Sequence, residues 1–230
     1  MVKLDCYVIN LDRKKKDYDR FQKNWDKYFN IKRISAIDHK NCKLKGKECC
    51  KKTHLDLMKK IVLENKNDDK FVIIMEDYVY PTESFDKYWN EIVYFINNKN
   101  NFNYDLIHLD ILLNLDKKNN SISEYNDIFF TYSKGRNAAF MIYNKRFLKH
   151  FVNSEKFNEH YKKLDISLDF HGGFTFDNNL KKLTCKELIV RQYTDKISEI
   201  TGDRGYIRHY DKWYDETSDI LNKINIKDKI

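Results

Sequence analysis

The 230-residue chain holds one proline and six glycines. So few backbone breakers exclude a collagen-like, proline-rich or low-complexity design and leave little room for long linkers. No apolar run approaches the ~20 residues that a bilayer-spanning helix needs. The N-terminal stretch MVKLDCYVINL enters a strand pattern at once, without the apolar centre of a cleavable leader. A glycine-rich phosphate loop is also missing, as are paired zinc-ligand spacings and an aromatic signature for single-stranded nucleic acid. Five cysteines, an odd number, read as free thiols in a reducing compartment. Cys42, Cys49, Cys50 and His54 cluster in sequence but match no familiar zinc pattern, so idle thiols are expected. The expectation from these absences is a soluble, cytoplasmic protein that does not bind nucleic acid.

What the chain does have is aromatic side chains, at 15%, and a formal charge of +8. The length suits one domain with a full core, read here as residues 1–200, with a polar and aromatic tail, 201–230, packed on it. A basic surface favours anionic partners, such as a phosphorylated small molecule or, peripherally, an anionic membrane.

Periodicity supplies the elements. LDCYVINL (residues 4–11) reads as a buried strand and RKKKDYDRFQKNWDKYF as a helix with Tyr18, Phe21, Trp25 and Tyr28 on one face. IKRISAID is a second strand. CCKKTHLDLMKKIVLEN is a helix with Leu55, Met58, Ile61 and Val62 inward, and DKFVIIM is a third strand. Pro81 suits the entry to a helix carrying Phe85, Trp89 and Ile92. YDLIHLD, IFFTY and AAFMIY read as further strands, NKRFLKHF as a helix start and LTCKELIVRQY as containing a late strand, while NLDKKNNSISEYND reads as a polar loop. Alternating strands and helices predict an α/β sheet of largely parallel order. In such sheets ligands bind beyond the carboxyl ends of the strands. Polar groups stand at three of those ends: Asn10 with Asp12 and Arg13, Glu76 with Asp77, and Asp110. A polar strand end alone is only the start of a loop. Two adjacent acids after the five apolar residues FVIIM carry more, because carboxylates there can hold a cation, grip sugar hydroxyls or take a proton.

Four ordered segments resemble glycosyltransferase family 25, the lipooligosaccharide and procollagen galactosyltransferase group. YVINLDRKKKDYDRF is similar to its N-terminal strand and Arg-rich turn, and ISAID to its next strand. GKECCKKTHLDLMKKI is similar to its Gly-x-x-x-Cys-x-x-Ser-His helix start, with Gly46, Cys50, Thr53 and His54 in register and threonine replacing serine. VIIMEDYV is similar to its strand ending Glu-Asp-Asp-Val. Later, RNAAFMIYNKRFLKHF and VRQYTDKISEI resemble its following strand-helix and closing segment.

The resemblance implies a Rossmann-like nucleotide-diphospho-sugar transferase (GT-A type) sandwich. It also implies inverting transfer of galactose or glucose from a UDP-sugar to a hydroxyl of a glycan, a lipid-linked sugar or a protein. Asn10, Leu11, Arg13, Ala36 and Asp38 would line the nucleotide pocket. Glu76 and Asp77 would flank the donor, Thr53 and His54 would stand at a helix start nearby, and Gln192 would lie in the closing segment. His54 equally fits a core histidine, since it shares a face with Met58 and Ile61. Tyr78 replaces the family's third acid, and a phenol is a poor ligand for a hard cation. Mn2+ or Mg2+ would then rest on Asp77, with Asp110 as a second ligand. Otherwise the leaving diphosphate is met by cations, with Lys134, Arg136, Arg204 and Arg208 as candidates. The base that inversion needs is sought in LDISLDFHGGFTFD, which offers Asp169, Asp165 and Asp177. The alternative is a non-catalytic nucleotide-sugar- or glycan-binding domain of the same fold.

Overall fold

The structure, a computed structural model, describes residues 3–64, 71–98, 103–113, 121–135, 137–164, 179–193 and 204–227. Its centre is an eight-stranded mixed sheet. In chain order the strands are β1 (Leu4–Asn10), β2 (Phe29–Ser35), β3 (Phe71–Glu76), β5 (Leu106–His108), β6 (Ile122–Glu124), β7 (Phe129–Tyr132), β8 (Phe140–Asn144) and β9 (Lys182–Cys185). They lie side by side as β2-β1-β3-β8-β5-β9-β7-β6, and β4 (Val79–Pro81) pairs separately with β10 (Val190–Gln192). Strand β1 is parallel to β2 and β3, and β5 is parallel to β9. Strands β8 and β7 run against their neighbours, so six of the eight strands point one way.

The helices are α1 (Lys15–Trp25), α2 (Gly46–Glu64), α3 (Phe85–Asn97), α4 (Lys145–Val152), α5 (Glu155–Lys162) and α6 (Arg204–Lys227). They cover both faces, and strand alternation decides which residue meets which helix. Cys6, Val8, Ile73 and Met75 join Trp25, Phe85 and Trp89 in one core. Val72 and Ile74 join Leu55, Met58, Leu148 and Phe157 in the other. Trp25, fully buried, meets Phe85 and Phe140 edge-on at 4.9 and 5.5 Å and donates its indole N–H to the Val79 carbonyl. A third cluster seats α6 through Tyr214 and Leu221 against Ile111, Phe130 and Leu188.

Several elements differ from the sequence expectation. Pro81 ends β4 instead of opening a helix, because the Thr82 N–H is taken by the Ile189 carbonyl, and α3 begins only at Phe85. Strand β6 lies inside the stretch read as a loop. It is a polar sheet-edge strand, exposed at Ser123 and Glu124, which carries no apolar alternation. Helix α5 follows α4 after a Ser154 cap that accepts the Phe157 N–H. From Arg204 to Lys227 the tail is a 24-residue helix. Among the described residues no helix is long and apolar enough to cross a membrane.

His160 of α5 is buried against Phe151, and its Nε2 has no hydrogen-bond partner. Burial, then the nearby Lys51 and Lys156 charges, push its pKa down to about 4. The unfolded chain protonates near ~6.5 and the folded one only below that, so acid favours unfolding across this interval. Urea unfolding is expected to show stability falling from pH 6.5 toward pH 4, with a slope of at most about 1.4 kcal/mol per pH unit. His160→Leu should flatten that interval and leave the slope elsewhere unchanged.

Candidate functional site

Strand β1 sits between β2 on one side and β3 on the other, so the chain reverses its direction of growth across the sheet at the β1/β3 boundary. The crevice beyond the carboxyl ends of such a pair is where open α/β sheets take ligands. Asn10, the last residue of β1, is buried there. Its amide nitrogen donates to Asp77 Oδ2 at 2.5 Å and to the Lys14 carbonyl at 3.2 Å, while its oxygen accepts from Arg33 Nε and Nη2 at 2.8 and 2.6 Å. Arg33 also reaches Asp12 at 2.7 Å, which in turn accepts the Ser35 hydroxyl. Main-chain bonds lace the same ends, from Ala36 N–H to the Asn10 carbonyl and from Asp77 N–H to the Ile9 carbonyl. Leu11 and Ala36 are half-buried beside them.

The loop after β2 is held just as tightly. Arg13 Nε donates to Asp38 at 2.5 Å. Asp38 caps the short turn His39–Asn41 by accepting the Lys40 N–H. The Arg13 guanidinium, more than any other contact, holds the Asp38 carboxyl below the usual carboxylate range. Thr53 accepts the Ile37 N–H at 3.0 Å and donates to the Cys49 carbonyl. The structure therefore gathers Asn10 and Asp77 at one fork, with the Arg13–Asp38 pair and Thr53 organising the adjoining loop.

Glu76 goes elsewhere. It is the last residue of β3, whose pleat aims it at the face covered by α2, whereas Asp77 is the first residue of the turn that follows. Its carboxylate lies 2.8 Å from His54 Nε2 and 3.8 Å from the Cys50 thiol, both on α2. His54 is buried, so the core reading of that residue and its proximity to a strand-end acid are both met. The Cys50–His54 pair, four apart on one helix face, was the sequence signal for this grouping.

Asp110 is fully buried. Its oxygens accept the Ala139 and Phe140 N–H groups at 3.3 and 3.0 Å and the Gln192 amide at 3.2 Å. His108 Nε2 stands 3.3 Å away without being aligned for a hydrogen bond. Asn137, held at a positive φ of 79° that asparagine tolerates, donates to the Asp110 carbonyl, and the Gln192 N–H donates to Tyr214 of α6. These donors use Asp110 and Gln192 to join β8, β10 and α6, and a cation ligated by Asp110 would have to displace them. Tyr78 packs on the core shared by α1 and α3, and its carbonyl accepts the Tyr193 N–H. Lys134 is half-buried after β7. Asp165, Asp169, Asp177 and Arg136 lie outside the described residues, as do the side chains of Arg204 and Arg208. Arg33 is the contact that sequence reasoning did not place at the site, because sheet register positions it.

No protein-family model and no curated protein matches the chain.

Removing the Asp110 carboxylate tests the buried junction. Asp110→Ala strands buried donors that cost about 1–3 kcal/mol each. Urea unfolding is therefore expected to register a loss above about 3 kcal/mol, whereas a loss near zero would show that the junction is held by packing alone.

Proposed function

We propose that the chain is an inverting glycosyltransferase that passes a hexose, galactose or glucose, from a UDP-sugar to a hydroxyl of a glycan, a lipid-linked sugar or a protein. One observation carries this reading: Asn10 and Asp77 converge at the β1/β3 switch point of a sheet with six like-directed strands, where an α/β domain receives a nucleotide. Two of the motifs similar to glycosyltransferase family 25, the N-terminal strand and the strand ending Glu-Asp, supply these two residues, and the mixed sheet is consistent with a nucleotide-diphospho-sugar transferase sandwich of GT-A type.

In this reading the acceptor oxygen attacks the anomeric carbon as the bond to the diphosphate breaks, and UDP leaves on the opposite face. A carboxylate takes the acceptor proton, and Asp169, with Asp165 and Asp177 behind it, is the assignment the sequence favours. Asp77 serves the donor by gripping sugar hydroxyls, its position set by Asn10. Arg13 and Arg33, at the same strand ends, contribute positive potential toward the diphosphate.

Mn2+ or Mg2+ bound through Asp77 fits the described residues poorly. Hard cations collect several oxygen ligands. Here Glu76 faces His54, Tyr78 packs on the core and Asp110 is saturated with donors. Among the described residues no cluster of three metal-ligating side chains includes Asp77. The same observation favours the second reading, a nucleotide-sugar- or glycan-binding domain without turnover.

Release of UDP from UDP-galactose and UDP-glucose, followed with Mn2+, with Mg2+ and with EDTA, decides between them. Transfer is expected to persist in EDTA and to fall about 100-fold or more in Asp77→Ala, equivalent to ~2.7 kcal/mol of barrier. Donor binding without UDP release would support the binding domain. Binding and release both unchanged in Asp77→Ala would remove Asp77 from either role.

A further inference from the structure

We propose that Cys50, His54 and Glu76 hold a zinc-class divalent ion between α2 and the end of β3. This inference stands apart from the sugar-transfer reading and needs no nucleotide. The three ligating atoms lie within 4.8 Å of one another. They form one of each ligand type that zinc accepts: a thiolate, an imidazole and a carboxylate. A tetrahedral zinc with bonds of ~2.0–2.3 Å separates its ligands by roughly 3.3–3.7 Å. The Cys50–Glu76 distance of 3.8 Å is already close to that, and the His54–Glu76 pair at 2.8 Å has to part by about half an ångström to admit the ion.

The backbone presets this arrangement. Cys50 and His54 are one helical turn apart and project from the same face of α2, and the pleat turns Glu76 toward that face. His54 is buried and its Nδ1 has no hydrogen-bond partner. Without the ion an Nε2–H points at Glu76; an ion that takes the Nε2 lone pair moves the imidazole proton to Nδ1. Binding releases the Cys50 proton. The resulting thiolate and the Glu76 carboxylate together neutralise the two charges of the ion, which suits a half-buried site better than a thiol held against a carboxylate. Three protein ligands leave one position for water. The ion ties the first half of α2 to the strand whose next residue is Asp77.

Cobalt(II) reports on this site directly. Titrating the metal-free protein with Co2+ is expected to produce visible ligand-field bands and a near-ultraviolet thiolate-to-cobalt charge-transfer band that saturates at one ion per chain and is displaced by Zn2+. Cys50→Ser should abolish the charge-transfer band and weaken Zn2+ binding by more than the 10–100-fold that loss of an outer-shell partner causes. The double variant Cys42→Ser/Cys49→Ser, which removes the neighbouring thiols that touch at 3.4 Å, should leave the band in place. X-ray absorption of the zinc-loaded wild-type protein, which needs no variant to fold, should show one sulfur with nitrogen and oxygen ligands. Absence of the band, its survival in Cys50→Ser, its loss with Cys42 and Cys49, or two sulfurs in the zinc shell would each overturn the proposal.

Discussion

The carboxyl end of β3 sends two consecutive acids to different partners, and the organisation of this protein's candidate site depends on that division. Glu76 closes β3 with its side chain aimed by the pleat, and Asp77 opens the turn that follows, so the two carboxylates meet different partners. Glu76 turns toward α2, where His54 and Cys50 meet it. Asp77 turns toward β1, where Asn10 meets it. One acid thereby fastens a helix to the sheet, and the other faces the fork between β1 and β3. Tyr78, the second residue of the turn, packs on the core.

The other half of the sheet depends on a second carboxylate used in a different way. Asp110 accepts two backbone amides at the start of β8 and the side chain of Gln192 from β10, and the surrounding contacts reach Tyr214 of α6. A carboxyl group this deeply buried is tolerable only when its oxygens are met by well-placed donors. Helix α6 is seated by the same junction and by the apolar contacts of Tyr214 and Leu221. Two strand-end acids that look alike in sequence, Asp77 and Asp110, therefore have different environments: a half-buried fork and a closed interior.

Elements with strong periodicity were legible before the structure. Strands β3 and β8 are apolar runs buried on both faces, β1 is buried from Val8 to Asn10, and α2 shows Leu55, Met58 and Ile61 at helical spacing. Elements decided by tertiary contacts were not. Strand β6 is polar because it lies at the sheet edge. Helix α6 hid its fold in a polar composition, since among its described side chains only a narrow stripe through Tyr214, Thr217 and Leu221 is buried. Within the site, Asn10 and Asp77 were legible as polar residues that end apolar strands. The partition of Glu76 from Asp77 was not legible, because where the strand ends and the turn begins shows only in the structure, and the resemblance to a family with consecutive acids suggested a shared role. The contact of Arg33 with Asn10 required the parallel register of β1 with β2, which places Val8 beside Arg33 and Asn10 beside Ser35.

The central claim is that Glu76 holds the fold together while Asp77 serves the ligand. The most direct test measures urea unfolding and UDP-hexose turnover side by side for Glu76→Gln and Asp77→Asn. The account predicts that Asp77→Asn unfolds within ~0.5 kcal/mol of wild type and loses turnover, whereas Glu76→Gln unfolds earlier by about 1 kcal/mol or more and keeps turnover while folded. Equal loss of turnover in both variants with unchanged unfolding would contradict it, because both acids would then face the donor.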